Sequence, residues 1–342
     1  MGHARIAAIE YYLPAKVETN EQLARENPDW RMDDIYQKTG IRARHLAAPD
    51  ETAGDLACKA AGKLFERNTA QASQIDFVLF CTQSPDYFLP ATACCIQHRL
   101  GIPKSAGAID FNQGCSGYVY GLSIAKCLVE SGTCKNILLL TAETYSKYIN
   151  PRDRLNRPLF GDGAAATLIS ESGSSPGRIG DFVFGTDGSG ARNLIVPAGA
   201  ARTPASPSIF NQHVEQNGCV RAPHQLFMDG AAVFAFAVST VPKSIQALLD
   251  KTGLSISDID FFIFHQASRF MLEHLLKKLG LPPEKAPFFM EEVGNTVSAT
   301  IPILLRAHAD QGRFKPGAKM MLIGFGVGYS WAAGLIEWDQ LV

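Results

Sequence analysis

Three residues in this 342-residue chain combine a reactive or polar side chain with a position where chemistry is usually done. Cys115 lies in FNQGCSGYVYGL (111–122), after the strand-like run SAGAIDFNQG. After it, Val119, Leu122, Ala125 and Val129 repeat at helical spacing. A thiol at a strand-to-helix elbow faces the partial positive charge of unpaired N–H groups, which favours a thiolate nucleophile. Gly114 and Gly117 permit unusual backbone angles and close approach of a substrate. Equally, a small cysteine fits a buried turn. His265 ends the apolar run FFIF, where a parallel strand would stop and where ligand sites of open α/β sheets collect. It could also tie off a loop. Asn295, in EEVGNTVSATIPILL, is fully explained on its own as a helix N-cap.

The elements that must position these residues occur twice. SQIDFVLFCTQS (73–84) resembles SDIDFFIFHQAS (257–268), so Cys81 falls opposite His265. GCSGYVYGLSIAKCLVESG (114–132) lies against GNTVSATIPILLRAHADQG (294–312), which sets Cys115 opposite Asn295. NILLLTAETYS (136–146) matches KMMLIGFGVGYS (319–330), and GDGAAATLIS (161–170) matches SWAAGLIEW (330–338). The offset between copies is nearly constant. This predicts two related α/β halves, 1–175 and 176–342, divided in the Gly/Ser/Pro-rich ESGSSPGRIG (171–180). PAGAARTPASPSIFNQ (197–212) reads as a surface loop. Pseudo-symmetry would bring the two elbows together, so that nucleophile, imidazole and amide donor converge at the junction of the halves.

GFGVGYS (324–330) has the glycine spacing of a nucleotide loop, but no helix follows, and the dinucleotide reading fails on context. A tight turn there can instead aim a backbone N–H into the site, forming an oxyanion hole with the N–H of Cys115. GDG (161–163) reads as a structural turn.

Composition excludes several classes. Hydrophobic residues make up 46%, charged residues 19%, and the net charge is −1 with no long Lys/Arg run, which argues against a nucleic-acid surface. The longest apolar runs, FVLFC (77–81) and AAVFAFAV (231–238), are core-sized rather than membrane-spanning. The N-terminus lacks a signal pattern. The eight cysteines fit neither a zinc site nor a CxxC pair, so free thiols in a reducing cytoplasm are expected.

Taken together, KTGIRARH (38–45), GCSGYVYGL, FGDGAAA (160–166), HQAS, GNTVSATIP and GFGVGYSW stand in the order of the ketoacyl-[acyl-carrier-protein] synthase III family, which the chain resembles over essentially its whole length. The resemblance implies the thiolase-like fold, two pseudo-symmetric halves in five αβαβα layers, as a homodimer. It implies Cys115 as the acylated nucleophile and His265 with Asn295 as donors to the enolate of a decarboxylating malonyl thioester. The N–H groups of Cys115 and Val327 would form the oxyanion hole, with Phe325 beside the decarboxylation site. No permanently bound cofactor or metal is implied. Acyl-CoA or acyl-ACP, both phosphopantetheine thioesters, would be substrates, and acyl carrier protein the partner.

Several positions depart from the family pattern. Asp34 stands for a Trp that stacks on adenine, Ser268 for Asn, Phe270 for Arg, with Arg269 adjacent, and Ala235 for Lys. Arg154 matches a basic residue near the cofactor mouth. Leu89, in SPDYFLPAT (84–92), replaces an aromatic residue of the segment that reaches into a partner's acyl pocket, which predicts starters longer than acetyl. The alternatives weighed are a same-fold acyltransferase acting on oxygen or nitrogen, a cysteine hydrolase, and a non-catalytic subunit. The papain-type order Cys…His…Asn is present without its CGSCW signature.

Overall fold

In a computed structural model, residues 2–67, 70–173, 175, 177–215, 218–339 and 341 are described. Strands β1 (Ala4–Tyr12), β2 (Lys16–Thr19), β3 (Ala43–Leu46), β4 (Phe77–Cys81), β5 (Gly107–Phe111), β6 (Asn136–Glu143) and β7 (Gly163–Glu171) come first. They alternate with helices α1 (Asn20–Glu26), α2 (Met32–Thr39), α3 (Ala53–Glu66), α4 (Thr92–Arg99) and α5 (Gly117–Glu130). Next follow β8 (Arg178–Thr186) and four two-residue strands, β9 (Leu194–Ile195), β10 (His213–Val214), β11 (Val220–Arg221) and β12 (Phe227–Met228). Helices α6 (Gly230–Thr252), α7 (Arg269–Leu279) and α8 (Thr300–Asp310) are interleaved with β13 (Phe261–Phe264), β14 (Lys319–Gly326) and β15 (Ser330–Glu337).

Two sheets carry the chain. The first has the order β1-β7-β6-β4-β5 and the second β8-β15-β14-β13. Read from the β1 and β8 edges they are the same sheet. In each, two antiparallel pairings precede a parallel one, β6 with β4 and β14 with β13. The repeat read from sequence is therefore a repeat of topology. The second sheet has no counterpart of β5 among the described residues. Residues 286–290, which precede the second elbow in sequence as β5 precedes the first, form no strand, and Pro287 lacks the N–H that a ladder needs. The expected division at 175/176 falls between β7 and β8, and residue 176 lies outside the described residues.

The layers follow from which helix faces are apolar. α5 and α8 sit between the sheets, touching strands of both. Tyr118, Val119 and Leu122 of α5 and Ile301, Leu304 and Leu305 of α8 share one buried cluster with Leu139, Ile263 and Leu322. α3 and α4 cover the outer face of the first sheet, and α6 and α7 that of the second. Burying one such leucine fully is worth roughly 1.5–3 kcal/mol. Capping fixes the outer helices. Asp229 accepts from Ala232 N at the start of α6, and Gly253 ends it in the left-handed conformation.

α6 differs from the expectation that no apolar stretch is long enough to span a bilayer. Its 23 residues meet that test by length and composition. Val233, Ala237, Val241, Ile245 and Leu248 instead bury its inner face against the second sheet.

Candidate active site

The β5–α5 elbow delivers Cys115. Helix α5 starts at Gly117 without a side-chain cap, so its first N–H groups lie at the thiol's end of the helix. The elbow is packed from behind by β14. A Cβ on Gly326 would stand 2.6 Å from the Cys115 sulfur, and one on Gly324 2.7 Å from Ser116 Cα. Only glycine lets a strand of the second half lie this close to the first-half elbow. Ser116 Oγ and Ser330 Oγ, 2.6 Å apart, tie the two together.

The thiol is 6% exposed. Its sulfur faces the backbone N–H of Val327 and its own N–H, both of which favour the thiolate. Burial outweighs them and pushes the thiol up to about 12. The N–H groups expected to favour a thiolate are present, but burial has the larger effect. Partial charges of N–H groups act on a sulfur already taken out of water.

His265 follows β13 and continues its pairing, donating from its N–H to Ile323 O at 2.8 Å. It is 1% exposed, and burial pushes its imidazole down to about 3, so the ring is neutral. Its Nδ1 is 2.7 Å from Thr300 Oγ1. Phe325 meets the ring edge-on, centroids 5.8 Å apart.

Asn295 is not the cap of α8, whose N-cap is Ala299. Its backbone bridges to the first half, donating to Leu159 O and accepting from Gly161 N. Its carboxamide is oriented: Oδ1 accepts from Val297 N at 2.9 Å, and Nδ2 donates to Ala267 O at 3.3 Å. The second Nδ2–H has no partner among the described residues. Val297 adopts φ 54°, a left-handed conformation rare for a β-branched residue. That turn aims its N–H at Asn295 and its carbonyl at Thr300.

Cys115, His265, Asn295, Phe325 and Ser268 line one cavity of about 520 Å3, together with Tyr145. Val327 lines a neighbouring cavity of about 320 Å3, which Tyr145 and Leu194 also border. The remaining expected residues lie outside. Arg269 opens α7 at the rim, over the Tyr36 ring and 3.7 Å from Glu291. Arg154 is exposed, although its neighbour Leu155 lines the large cavity. Leu89 is 82% exposed and touches neither cavity of its own chain. Sequence reading missed Thr300, hidden in an apolar helical run, and Tyr145, whose ring faces both cavities. Nothing in local spacing marks either.

Matches to known proteins agree with this geometry. The model of 3-oxoacyl-[acyl-carrier-protein (ACP)] synthase III matches residues 109–188, and that of its C-terminal part residues 249–338. A beta-ketoacyl-[acyl-carrier-protein] synthase III of Caldanaerobacter subterraneus is 37% identical over 332 residues, 96% of each chain. The chain belongs to the synthase III family. It is thus a thiolase-fold acyltransferase of the condensing type. One crystal structure of a 3-oxoacyl-(acyl-carrier-protein) synthase III is 52% identical, with a TM-score of 0.96, covering 98% of this chain and all of the other. A 3-oxoacyl-(acyl-carrier protein) synthase from Burkholderia xenovorans is 38% identical, with a TM-score of 0.89, covering 99% and 95%. The synthase III family resemblance of the six motifs is therefore a relationship over the full length.

Proposed function

We propose that this synthase III performs a decarboxylative Claisen condensation, joining an acyl group held on Cys115 to the two-carbon unit of a malonyl thioester. The Cys115 sulfur attacks an acyl thioester, the carbonyl oxygen is held by the N–H groups of Cys115 and Val327, and the pantetheine thiol leaves with the proton. A malonyl thioester then enters the large cavity and loses carbon dioxide. Its enolate oxygen accepts from the imidazole of His265 and the spare Nδ2–H of Asn295, beside Phe325. The enolate carbon attacks the acyl carbonyl and the Cys115 sulfur departs, giving a 3-oxoacyl thioester. Each donor aimed at developing charge is worth roughly 3 kcal/mol.

One observation carries this reading: a neutral, deeply buried His265 and an oriented Asn295 amide share a cavity with the thiol. Decarboxylation makes a carbanion without a base, so donors suffice. Transfer to a hydroxyl, an amine or water needs a general base active near neutrality, and an imidazole pushed down to about 3 is a poor one. The test is carbon dioxide release from malonyl carrier protein. It should fall by about 100-fold or more in Asn295→Ala while Cys115 still acylates. Unchanged release would overturn the reading.

The same reading takes acyl carrier protein as partner, acyl-CoA or acyl-ACP as donor, a homodimer, a cytoplasmic setting and a boundary between the halves at 175/176. Lys38, which lines the cavity, and Arg269 and Arg154 near its mouth are cations suited to a phosphopantetheine thioester. The exposed Tyr87, Phe88 and Leu89 and the open edge of β5 support a second copy. Ser268 caps α7, its Oγ accepting from Met271 N, while facing the substrate cavity. Starters longer than acetyl are proposed from Leu89, and acylation by acetyl thioester alone across a chain-length series would refute that.

A further inference from the structure

The condensation brings two acyl groups together beside one sulfur, and the chain provides two neighbouring cavities, the larger of which is lined by Cys115. The larger holds His265 and Asn295 and is where the malonyl unit must lose carbon dioxide. A starter bound to Cys115 has to leave that space free. The smaller cavity, about 320 Å3, begins at Val327, whose N–H faces the Cys115 sulfur, and shares Tyr145 and Leu194 with the larger. Its volume is that of about ten liquid waters, more than an acetyl group fills.

The walls of this second cavity are unlike each other. Leu194, Ile195, Val196 and Leu226 form an apolar side. The same cavity is lined by the polar side chains of Gln83, Asn112, Tyr145 and Tyr148. The Gln83 carboxamide reaches the elbow itself, since a Cβ on Gly114 would meet its Oε1 at 2.5 Å. Its orientation is fixed from both ends. Oε1 accepts from the Tyr145 hydroxyl at 2.5 Å, and Nε2 donates to Asn112 Oδ1 at 2.9 Å. Tyr148 donates to the Gln83 carbonyl at 3.4 Å, a long bond. Several groups are left over. The second Nε2–H of Gln83 and both Nδ2–H groups of Asn112 have no partner among the described residues, and the tyrosine oxygens keep free lone pairs.

A plain aliphatic chain would take the half-buried Gln83 and Tyr148 groups from water and return no hydrogen bond, while the exposed Asn112, which orients Gln83, stays hydrated at the rim. That costs more than the bonds themselves contribute. A chain bearing an oxygen on one side satisfies them while its carbons lie against Leu194 and Leu226. From this we infer that the starter is an oxygenated acyl group, a thioester carrying a hydroxyl or keto oxygen at C3 or beyond, and that Gln83, Asn112 and Tyr148 determine that preference. The inference rests on the condensing reading above. It adds the class of the first substrate.

The test uses the full-length protein and pantetheine thioesters, the part that coenzyme A and carrier protein donors share. Acylation of Cys115 is followed by intact mass with hexanoyl, 3-hydroxyhexanoyl and 5-hydroxyhexanoyl thioesters. At least one oxygenated thioester should acylate about tenfold faster than hexanoyl, the factor one satisfied hydrogen bond supplies. Asn112→Leu, at the exposed rim, and Tyr148→Phe, which removes a single oxygen, should each shrink that ratio. Hexanoyl reacting as fast as both hydroxyacyl groups, or a ratio unmoved in both variants, would overturn the inference. Carbon dioxide release from malonyl carrier protein is measured in parallel. If release persists and the preference is absent, only the starter inference falls; if neither acylation nor release occurs, the condensing reading falls and takes the inference with it.

Discussion

His265 Nδ1 lies 2.7 Å from Thr300 Oγ1, and that hydroxyl is also 3.1 Å from the Val297 carbonyl. A threonine has one proton for these two acceptors. With the hydroxyl donating to Val297 O, Nδ1 carries the imidazole proton; turned to Nδ1 instead, the hydroxyl leaves that proton on Nε2, the tautomer that donates to an enolate oxygen. Thr300 is thus proposed as a positioning residue acting through His265.

Thr300→Val keeps the volume and removes the hydroxyl. Carbon dioxide release should fall by about tenfold or more in kcat with little change in KM, and Thr300→Ser should restore most of it. A loss in KM alone, or no rescue by serine, would argue for a packing role.

The Cys115 thiol, raised to about 12 by burial, is protonated throughout the neutral range. Its thiolate fraction therefore climbs about tenfold per pH unit. Alkylation by iodoacetamide should rise with that slope from pH 7 to 9 without a plateau. His265, held down to about 3, stays neutral above pH 4, so carbon dioxide release should show no inflection near 6.5. A thiol plateau below pH 8 would show that the helix terminus outweighs burial after all.

Gly326→Ala places a methyl group 2.6 Å from the Cys115 sulfur. Acylation should be lost, with a destabilisation of about 1–3 kcal/mol from overpacking. Gly62→Ala, with open space around its Cβ, is the control that should leave acylation intact.

Glu143 is fully buried, and burial raises its carboxyl to about 8 despite bonds from Gln83 N, Ser84 Oγ and Ser298 Oγ. A raised folded value means that the native state binds the proton more tightly than the unfolded chain. Stability from this group is full below about 4.5 and is lost as pH rises through 8. Glu143→Gln mimics the protonated form, so its melting temperature should fall less than that of the parent between pH 6 and 9. Parallel curves would refute the assignment.

Much of the fold was legible because the signals are local. Alternating and helical apolar spacing marked β4, β6, β13 and β14 and the inner face of α5. Their recurrence along the chain matches the duplicated sheet topology. Among the described residues the second sheet has no counterpart of β5. Cys115 and His265 stand beside the ends of such elements and Asn295 lies a few residues before α8, and all three line one cavity.

What the sequence by itself determined is thus the order of elements and the chemical types at their ends, because periodicity and turn chemistry involve neighbours a few residues apart. Tertiary structure alone decided that burial outweighs the helix terminus at Cys115. It also decided that Thr300 meets His265 and that Gln83 and Tyr148 wall a second cavity. Those outcomes depend on dielectric surroundings and on contacts between residues far apart in the chain. No local pattern encodes them.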